Sequence, residues 1–297
     1  MGGKRMEREI GMIGLGIMGG AMARNLLAAG WRVVGHDPSE AVAGPLRAEG
    51  VEILPDAAAV ARAVPTLMTS LPTPQALHAT AAAIVAAGAP RRVVVEASTM
   101  ALDDKLQFEA ALRQGGHVAL DCPISGTGSQ AKVRDLVVYA SGGPAEIAGL
   151  QPLFAGFARA VHDLGAYGNG SRMKYVANLL VAIHNVASAE AMVLAIKSGL
   201  DPRQVVELIA SGAGTSRVFE LRAPMMAANS YADATMKVSI WQKDMAIIGS
   251  FASALGVPTP LLSATVPIYD SAMATGHAAH DTAAVCAVLE RMAGIER

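Results

Sequence analysis

The chain has 297 residues, 52% of them hydrophobic and 16% charged, with a formal net charge of −1. That composition excludes a disordered chain, and the charge balance leaves no overall positive field to hold nucleic acid or an anionic membrane. Two cysteines, Cys122 and Cys286, are too few for a disulfide framework and point to a reducing cytoplasm.

A strand is predicted at 10–13, a helix at 19–29, a strand at 32–34 and a helix at 40–49. Strands at 66–70 and 92–96 each lead into a helix, at 74–86 and 102–114, and further strands are predicted at 117–121 and 136–140. This alternation predicts an α/β domain, with a parallel sheet covered by helices on both faces. Near Gly165 the rhythm stops. Helices are predicted at 173–198, 202–211, 240–255, 260–275 and 281–292, separated by turn signals at Gly199, Gly212, Gly256 and Gly276. The organisation is therefore an α/β domain over 6–168 and an all-α domain over 169–297, joined by one long helix. The segment 175–196 is long enough to span a bilayer. It carries Asn178, His184, Asn185, Ser188 and Glu190, so a helix buried in protein is expected and no membrane partner.

Gly14, Gly16 and Gly19 form G-x-G-x-x-G directly after the first strand and at the mouth of a helix. Gly14 permits the tight turn, Gly16 lets the backbone approach a pyrophosphate, and Gly19 lets helix and strand pack closely. Leu15, Ile17 and Met18 complete this cofactor loop. Asp37 ends the second strand, 18 residues after Gly19. A carboxylate there accepts the ribose hydroxyls of NAD and repels the 2′-phosphate of NADP. NAD is the expected cofactor and NADP the alternative. No metal is expected: His277, His280 and Asp281 lack a third-ligand pattern, and Asp281 suits the N-cap of the last helix.

Four blocks extend this signal: GLGIMGGAMARNL at 14–26, DCPISGT at 121–127, GNGSRMKYVAN at 168–178 and the pair Lys243-Asp244. With them the chain resembles the β-hydroxyacid dehydrogenase family, which includes 3-hydroxyisobutyrate dehydrogenase and tartronate semialdehyde reductase. The resemblance covers nearly the whole chain. It implies a Rossmann domain followed by a helical domain, with the active site in the cleft between them. It also implies hydride transfer between a nicotinamide and the hydroxyl carbon of a small carboxylic acid, and homodimers or homotetramers formed through the helical domain.

Alcohol oxidation needs a base for the O–H proton, and the reverse reduction needs an acid. A lysine serves both when burial or a nearby cation lowers its pKa. Lys174 and Asn178 are four residues apart, on one helix face. By resemblance, Lys174 is the acid/base and Asn178 positions the substrate. Ser125, Gly126 and Thr127 follow a strand and make a small anion nest, which the resemblance assigns to the substrate carboxylate. This chain reads Ser-Gly-Thr where the family usually has Ser-Gly-Gly, and Arg134-Asp135 where Gly-Thr is commoner, so the resemblance leaves the substrate open. Leu71, Pro72, Ser98 and Thr99 follow strands, at the sheet edge where the resemblance places the nicotinamide half. Thr99 also suits a helix N-cap, with Asp103 and Asp104 in the first turn. Lys243 is expected to meet the cofactor from the helical domain. The alternatives are an NADPH-dependent reductase of a semialdehyde acid and a non-catalytic dinucleotide-binding module. Retention of Lys174, Asn178 and Ser125 argues against the module.

Overall fold

The computed structural model describes residues 8–297, so residues 6 and 7 of the predicted first domain lie outside it. The described residues form two compact units, one ending at Lys174 and the other running from Tyr175 to Arg297.

In the first unit, β1 (Glu9–Ile13), α1 (Ile17–Ala28), β2 (Arg32–His36), α2 (Glu40–Ala48), β3 (Glu52–Ile53), α3 (Ala57–Ala63), β4 (Thr66–Thr69), α4 (Pro74–Ala86), β5 (Val93–Glu96), α5 (Leu102–Gln114) and β6 (Val118–Asp121) follow in turn. The strands form one parallel sheet in the order β3-β2-β1-β4-β5-β6. The chain leaves β1 towards both edges, so the crevice beyond β1 and β4 is the topological switch point. Neighbouring strand residues feed opposite cores. Met12, Val33, Met68, Val95 and Leu120 fill one, and Ile13, Val34, Leu67, Val94 and Ala119 the other. A sheet buried on both faces reads as continuous apolar runs, which is why these strands were legible.

After β6 come β7 (Ile124–Ser125), α6 (Gly128–Lys132), β8 (Val137–Ala140), α7 (Pro144–Gly149), α8 (Gln151–Phe154) and β9 (Ala160–Asp163). The strand predicted at 136–140 therefore lies in a second sheet, β7-β8-β9, in which β7 is antiparallel to β8. Two-residue strands such as β3 and β7 leave no periodic signal.

Helix α9 (Asn169–Lys197) begins in the first unit and continues into the second. There α10 (Pro202–Ala210), α11 (Arg217–Ala228), α12 (Val238–Ala254) and α13 (Pro260–Ala274) follow, then a 3₁₀ turn (Thr282–Ala284) and α14 (Val285–Met292). Helix α11 was not predicted, because Pro224 and the charged Arg217, Glu220 and Arg222 obscure its apolar period. Its start signal was present: the Ser216 hydroxyl accepts the Phe219 N–H at 3.0 Å. By length and composition α9 is apolar enough to cross a membrane. Of its polar residues, Asn178 and Asn185 have partners on other elements of the protein. Asn185 donates to the Tyr269 hydroxyl and to the Thr282 carbonyl, both at 2.9 Å, whereas Glu190 is exposed.

Candidate active site

The glycine loop spans the end of β1 and the start of α1. Gly14 has φ +89°, and a Cβ there would stand 2.2 Å from the Ser70 carbonyl oxygen at the end of β4. A Cβ on Gly19 would stand 2.1 Å from the Gly14 carbonyl oxygen. Both glycines are thus demanded by protein packing. Gly16 is different: nothing lies within 4 Å of a Cβ built on it. Helix α1 starts at this residue with no side-chain cap and no acid in its first turn, so its first N–H groups are left for an anion. The open position and the uncapped helix fit a dinucleotide pyrophosphate. Ile17 is exposed above the loop, Met18 packs partly against the core, and the Leu15 side chain is wholly core, so Leu15 offers backbone alone.

That backbone N–H is taken. It donates to Asp37 Oδ2 at 2.9 Å, while Ser39 N–H donates to Oδ1 at 2.9 Å. The Asp37 carboxylate is thereby fixed beside the glycine loop, half-exposed, with lone pairs remaining for further donors. At the neighbouring strand ends, Leu71 N–H donates to the Ser98 hydroxyl at 2.7 Å, joining the loops after β4 and β5. Pro72 is exposed and Thr99 half-buried. Thr99 is not the helix cap considered above. Helix α5 starts later, with Ala101 at the N-cap position, although Asp103 and Asp104 do occupy its first turn.

Lys174 is buried, 8% exposed, in the second turn of α9. Asn178 is 4% exposed one turn on, and its amide donates to Asp244 Oδ2 at 3.0 Å. Lys243 Nζ lies 3.6 Å from Asp244 Oδ1, so one carboxylate serves both the asparagine and the lysine of α12. Asp244 takes one of the two Nδ2 hydrogens of Asn178, so the second and Oδ1 remain for a ligand. In the loop after β7, Ser125 is half-buried and its hydroxyl makes no hydrogen bond among the described residues. Gly126 has φ +139° and a Cβ there would meet Leu136 at 2.5 Å, so no other residue fits the turn.

Comparison with known proteins fixes the family. The model for the NAD binding domain of 6-phosphogluconate dehydrogenase matches residues 9–165, and the one for the NAD-binding region of NADP-dependent 3-hydroxyisobutyrate dehydrogenase matches 168–289. L-Threonate dehydrogenase of Cupriavidus necator is 32% identical over 94% of this chain and 95% of its own. The chain belongs to the β-hydroxyacid dehydrogenase family. Among solved members, 3-hydroxyisobutyrate dehydrogenase from Salmonella typhimurium superposes with a TM-score of 0.86 at 30% identity, covering 94% of this chain and 99% of that one. The Mycobacterium tuberculosis 3-hydroxyisobutyrate dehydrogenase determined with L-serine gives 0.85 at 28% identity, covering 96% and 99%. As a β-hydroxyacid dehydrogenase, this protein is a nicotinamide-dependent oxidoreductase acting on CH–OH groups.

The structure shows what Thr127 does in the loop after β7. Thr127 is the N-cap of α6. Its N–H donates to Gln130 Oε1 at 3.1 Å, and its hydroxyl lies 2.9 Å from that of Ser129. The Thr127 N–H is therefore used within the loop and is not available to an anion. Gln130 also donates to Asp135 Oδ2 at 3.0 Å, which ties both ends of the loop together, and Arg134 sits exposed between them with φ 59°. The Thr-x-x-Gln spacing of a capping box was the signal for this. Beneath the loop, Cys122 is fully buried, which pushes its thiol pKa well above the ordinary range and leaves it unreactive. Among the described residues, no group of three or more metal-ligating side chains is brought together.

Proposed function

We propose that this dehydrogenase oxidises a small 3-hydroxy carboxylic acid with NAD, using Lys174 as acid/base. The observation that carries the reading is a buried lysine one helical turn from an asparagine whose amide is fixed by a carboxylate. When bound, the nicotinamide accepts a hydride from the hydroxyl-bearing carbon. Lys174, as the neutral amine, takes the hydroxyl proton, and as the ammonium it returns it in the reverse reduction of a semialdehyde acid. Asn178 donates its second Nδ2 hydrogen to the reacting oxygen and orients it, which leaves the hydroxyl proton to Lys174. We assign the substrate carboxylate to the Ser125 hydroxyl, unpartnered among the described residues, and to Gly126, with Thr127 shaping the loop as its cap. Gly14, Gly16, Gly19 and the first turn of α1 take the pyrophosphate, Asp37 the adenosine ribose, and Leu71, Pro72, Ser98, Thr99 and Lys243 the remainder of the cofactor.

The same reading places the enzyme in the cytoplasm as a homodimer or homotetramer. Two free, buried cysteines and the exposed Val176, Leu180 and Leu194 along one side of α9 support it. The test is absorbance of reduced nicotinamide with 3-hydroxyisobutyrate, L-threonate and L-serine, each with NAD and NADP. Lys174→Ala should lower kcat about 10²–10⁴-fold while NAD affinity is kept. Near wild-type turnover in that variant would overturn the assignment.

A further inference from the structure

The chemistry assigned above makes no use of one group of buried charges. Glu96 ends β5, Asp121 ends β6, and parallel pairing sets them side by side. Lys105 of α5 donates to Glu96 Oε2 and, at 3.0 Å, to Asp121 Oδ1. All three side chains are fully buried. Two carboxylates thus share one lysine amine in the interior. Replacing such a group by packed apolar residues is often neutral or stabilising, so stability alone gives no reason for it.

The remaining lone pairs show what the group holds. Glu96 Oε1 accepts the Ser98 N–H at 2.9 Å and the Thr69 hydroxyl at 3.3 Å. Ser98 in turn accepts the Leu71 N–H at 2.7 Å, so one carboxylate sets both loops assigned to the nicotinamide half. Asp121 accepts the Ser171 N–H at 2.7 Å on Oδ2 and the Ser171 hydroxyl at 2.8 Å on Oδ1. The Ser141 hydroxyl donates to the Asp121 carbonyl at 3.1 Å and accepts the Gly170 N–H at 3.0 Å. A Cβ on Gly170 would come within 2.3 Å of the Tyr139 carbonyl oxygen and 2.6 Å of that of Asp121. The first turn of α9 therefore rests directly on the backbone at the ends of β6 and β8. Its N-terminal end meets the Asp121 carboxyl group. Lys174 follows Ser171 by three residues, on the same side of the helix. Every one of these groups lies in the first unit.

We propose that Glu96, Lys105 and Asp121 are positioning residues: one buried ionic group that fixes the height and rotation of Lys174 relative to the loops at Leu71 and Ser98. The proposal rests on the reading of Lys174 as acid/base. Asp121 acts through Ser171, Glu96 acts through Ser98, and Lys105 holds the two carboxylates at one spacing. An error of about 1 Å in the placement of a reacting group costs up to about 100-fold in rate, so rate is the sensitive readout.

The experiment compares Ser171→Ala, Ser171→Thr, Asp121→Asn and Lys174→Ala in the full-length enzyme. The probes are NAD and whichever of 3-hydroxyisobutyrate, L-threonate and L-serine is turned over fastest. Ser171→Ala and Asp121→Asn should lower kcat by about 10- to 100-fold. The Kd for NAD should stay within about twofold, because the glycine loop and Asp37 are untouched. Ser171→Thr restores the hydroxyl and should return kcat to within about threefold of wild type. Full kcat in Ser171→Ala, or a loss of kcat matched by an equal loss of NAD affinity, would overturn the proposal. Should Asp121→Asn fail to fold, the two Ser171 variants decide alone. An inactive Lys174→Ala beside a fully active Ser171→Ala sinks the positioning role and spares the acid/base. An active Lys174→Ala sinks both, since nothing there would need positioning.

Discussion

Each unit buries an aspartate that holds the start of a helical segment, and the two are wired differently. Asp121 shares Lys105 with Glu96, two carboxylates to one cation, and its other donors belong to the turn that leads into Lys174. Asp281 has a cation of its own, with Arg222 Nε at 3.6 Å. It accepts N–H groups from Thr235 at 2.8 Å, Met236 at 3.1 Å and Ala283 at 3.0 Å, and the Thr235 hydroxyl at 2.9 Å. Those donors join the turn before α12 to the 3₁₀ turn before α14, and none is assigned to the site. A balanced pair with many backbone donors staples a fold, and its loss is read in stability. A group tied to the helix turn that carries the proposed acid/base is read in rate.

The sharpest way to break this contrast is Asp281→Ala. Arg222, 5% exposed, would become a buried cation without its carboxylate. The expected loss is about 3–5 kcal/mol of stability, measured by urea unfolding. Turnover per folded molecule should remain within about threefold of wild type, since no assigned site residue touches Asp281. A large fall in kcat with unchanged unfolding would invert the comparison and make Asp281 the positioning carboxylate.

A third carboxylate sharpens it from the other side, with a smaller effect. Asp37 is half-exposed and is held by two N–H groups, from Leu15 and Ser39. Its removal should leave stability nearly intact and act on the ligand. Hydrogen bonds to a charged acceptor are worth about 1.5–3 kcal/mol each, so Asp37→Ala should raise the Kd for NAD about 10- to 100-fold. It should also narrow the preference for NAD over NADP, by removing repulsion of the 2′-phosphate. His36 is turned away from this role, because its Nδ1 donates to the Leu54 carbonyl at 3.1 Å. Values of kcat/KM for both cofactors in both proteins decide the matter. A wild-type preference for NADP, or an unchanged ratio, would remove Asp37 from cofactor choice.

The same contrast explains what was legible in the sequence. The β-α unit repeats one pattern, and its cofactor signals are contiguous: strand, glycines, helix, strand, acid. Those depend on local backbone geometry, so spacing along the chain carries them. The helical unit gave up its long helices but not α11, where Pro224 and three charges hide the period. Lys174 and Asn178 could be paired from helix spacing alone. The bond from Asn178 to Asp244 spans 66 residues, and that from Asp121 to Ser171 spans 50. No local pattern encodes such long-range contacts, and the joining of Glu96, Lys105 and Asp121 is one of them. The capping role of Thr127 was not read from sequence for a related reason. Its residue type suits an anion nest, but the Gln130 side chain takes the N–H.

The smallest expected effect concerns acid. Each unit contains one imidazole whose pKa is held below its ordinary value. For His117 the main cause is burial, with the nearby Arg92 charge adding to it; for His277 it is again burial, followed by His280 and Arg291. The geometry agrees. His117 Nδ1 accepts the Arg92 backbone N–H at 3.1 Å, which needs a lone pair. The Nδ1 atoms of His277 and His280 stand 2.9 Å apart, a contact that cannot survive with both rings protonated. A depressed pKa in the folded state means that the unfolded chain binds the proton first as pH falls. The stability each histidine contributes is therefore complete above the ordinary imidazole pKa of about 6.5 and is lost as pH drops below it. Between pH 7 and pH 5, thermal midpoints should fall on account of each ring. His117→Asn keeps an acceptor near the Arg92 N–H without titrating, so it should flatten the share carried by the β-α unit. His277→Gln should do the same for the helical unit. If both variants retain the full acid-dependent fall, the proton uptake lies elsewhere, and the two units do not share this sensitivity.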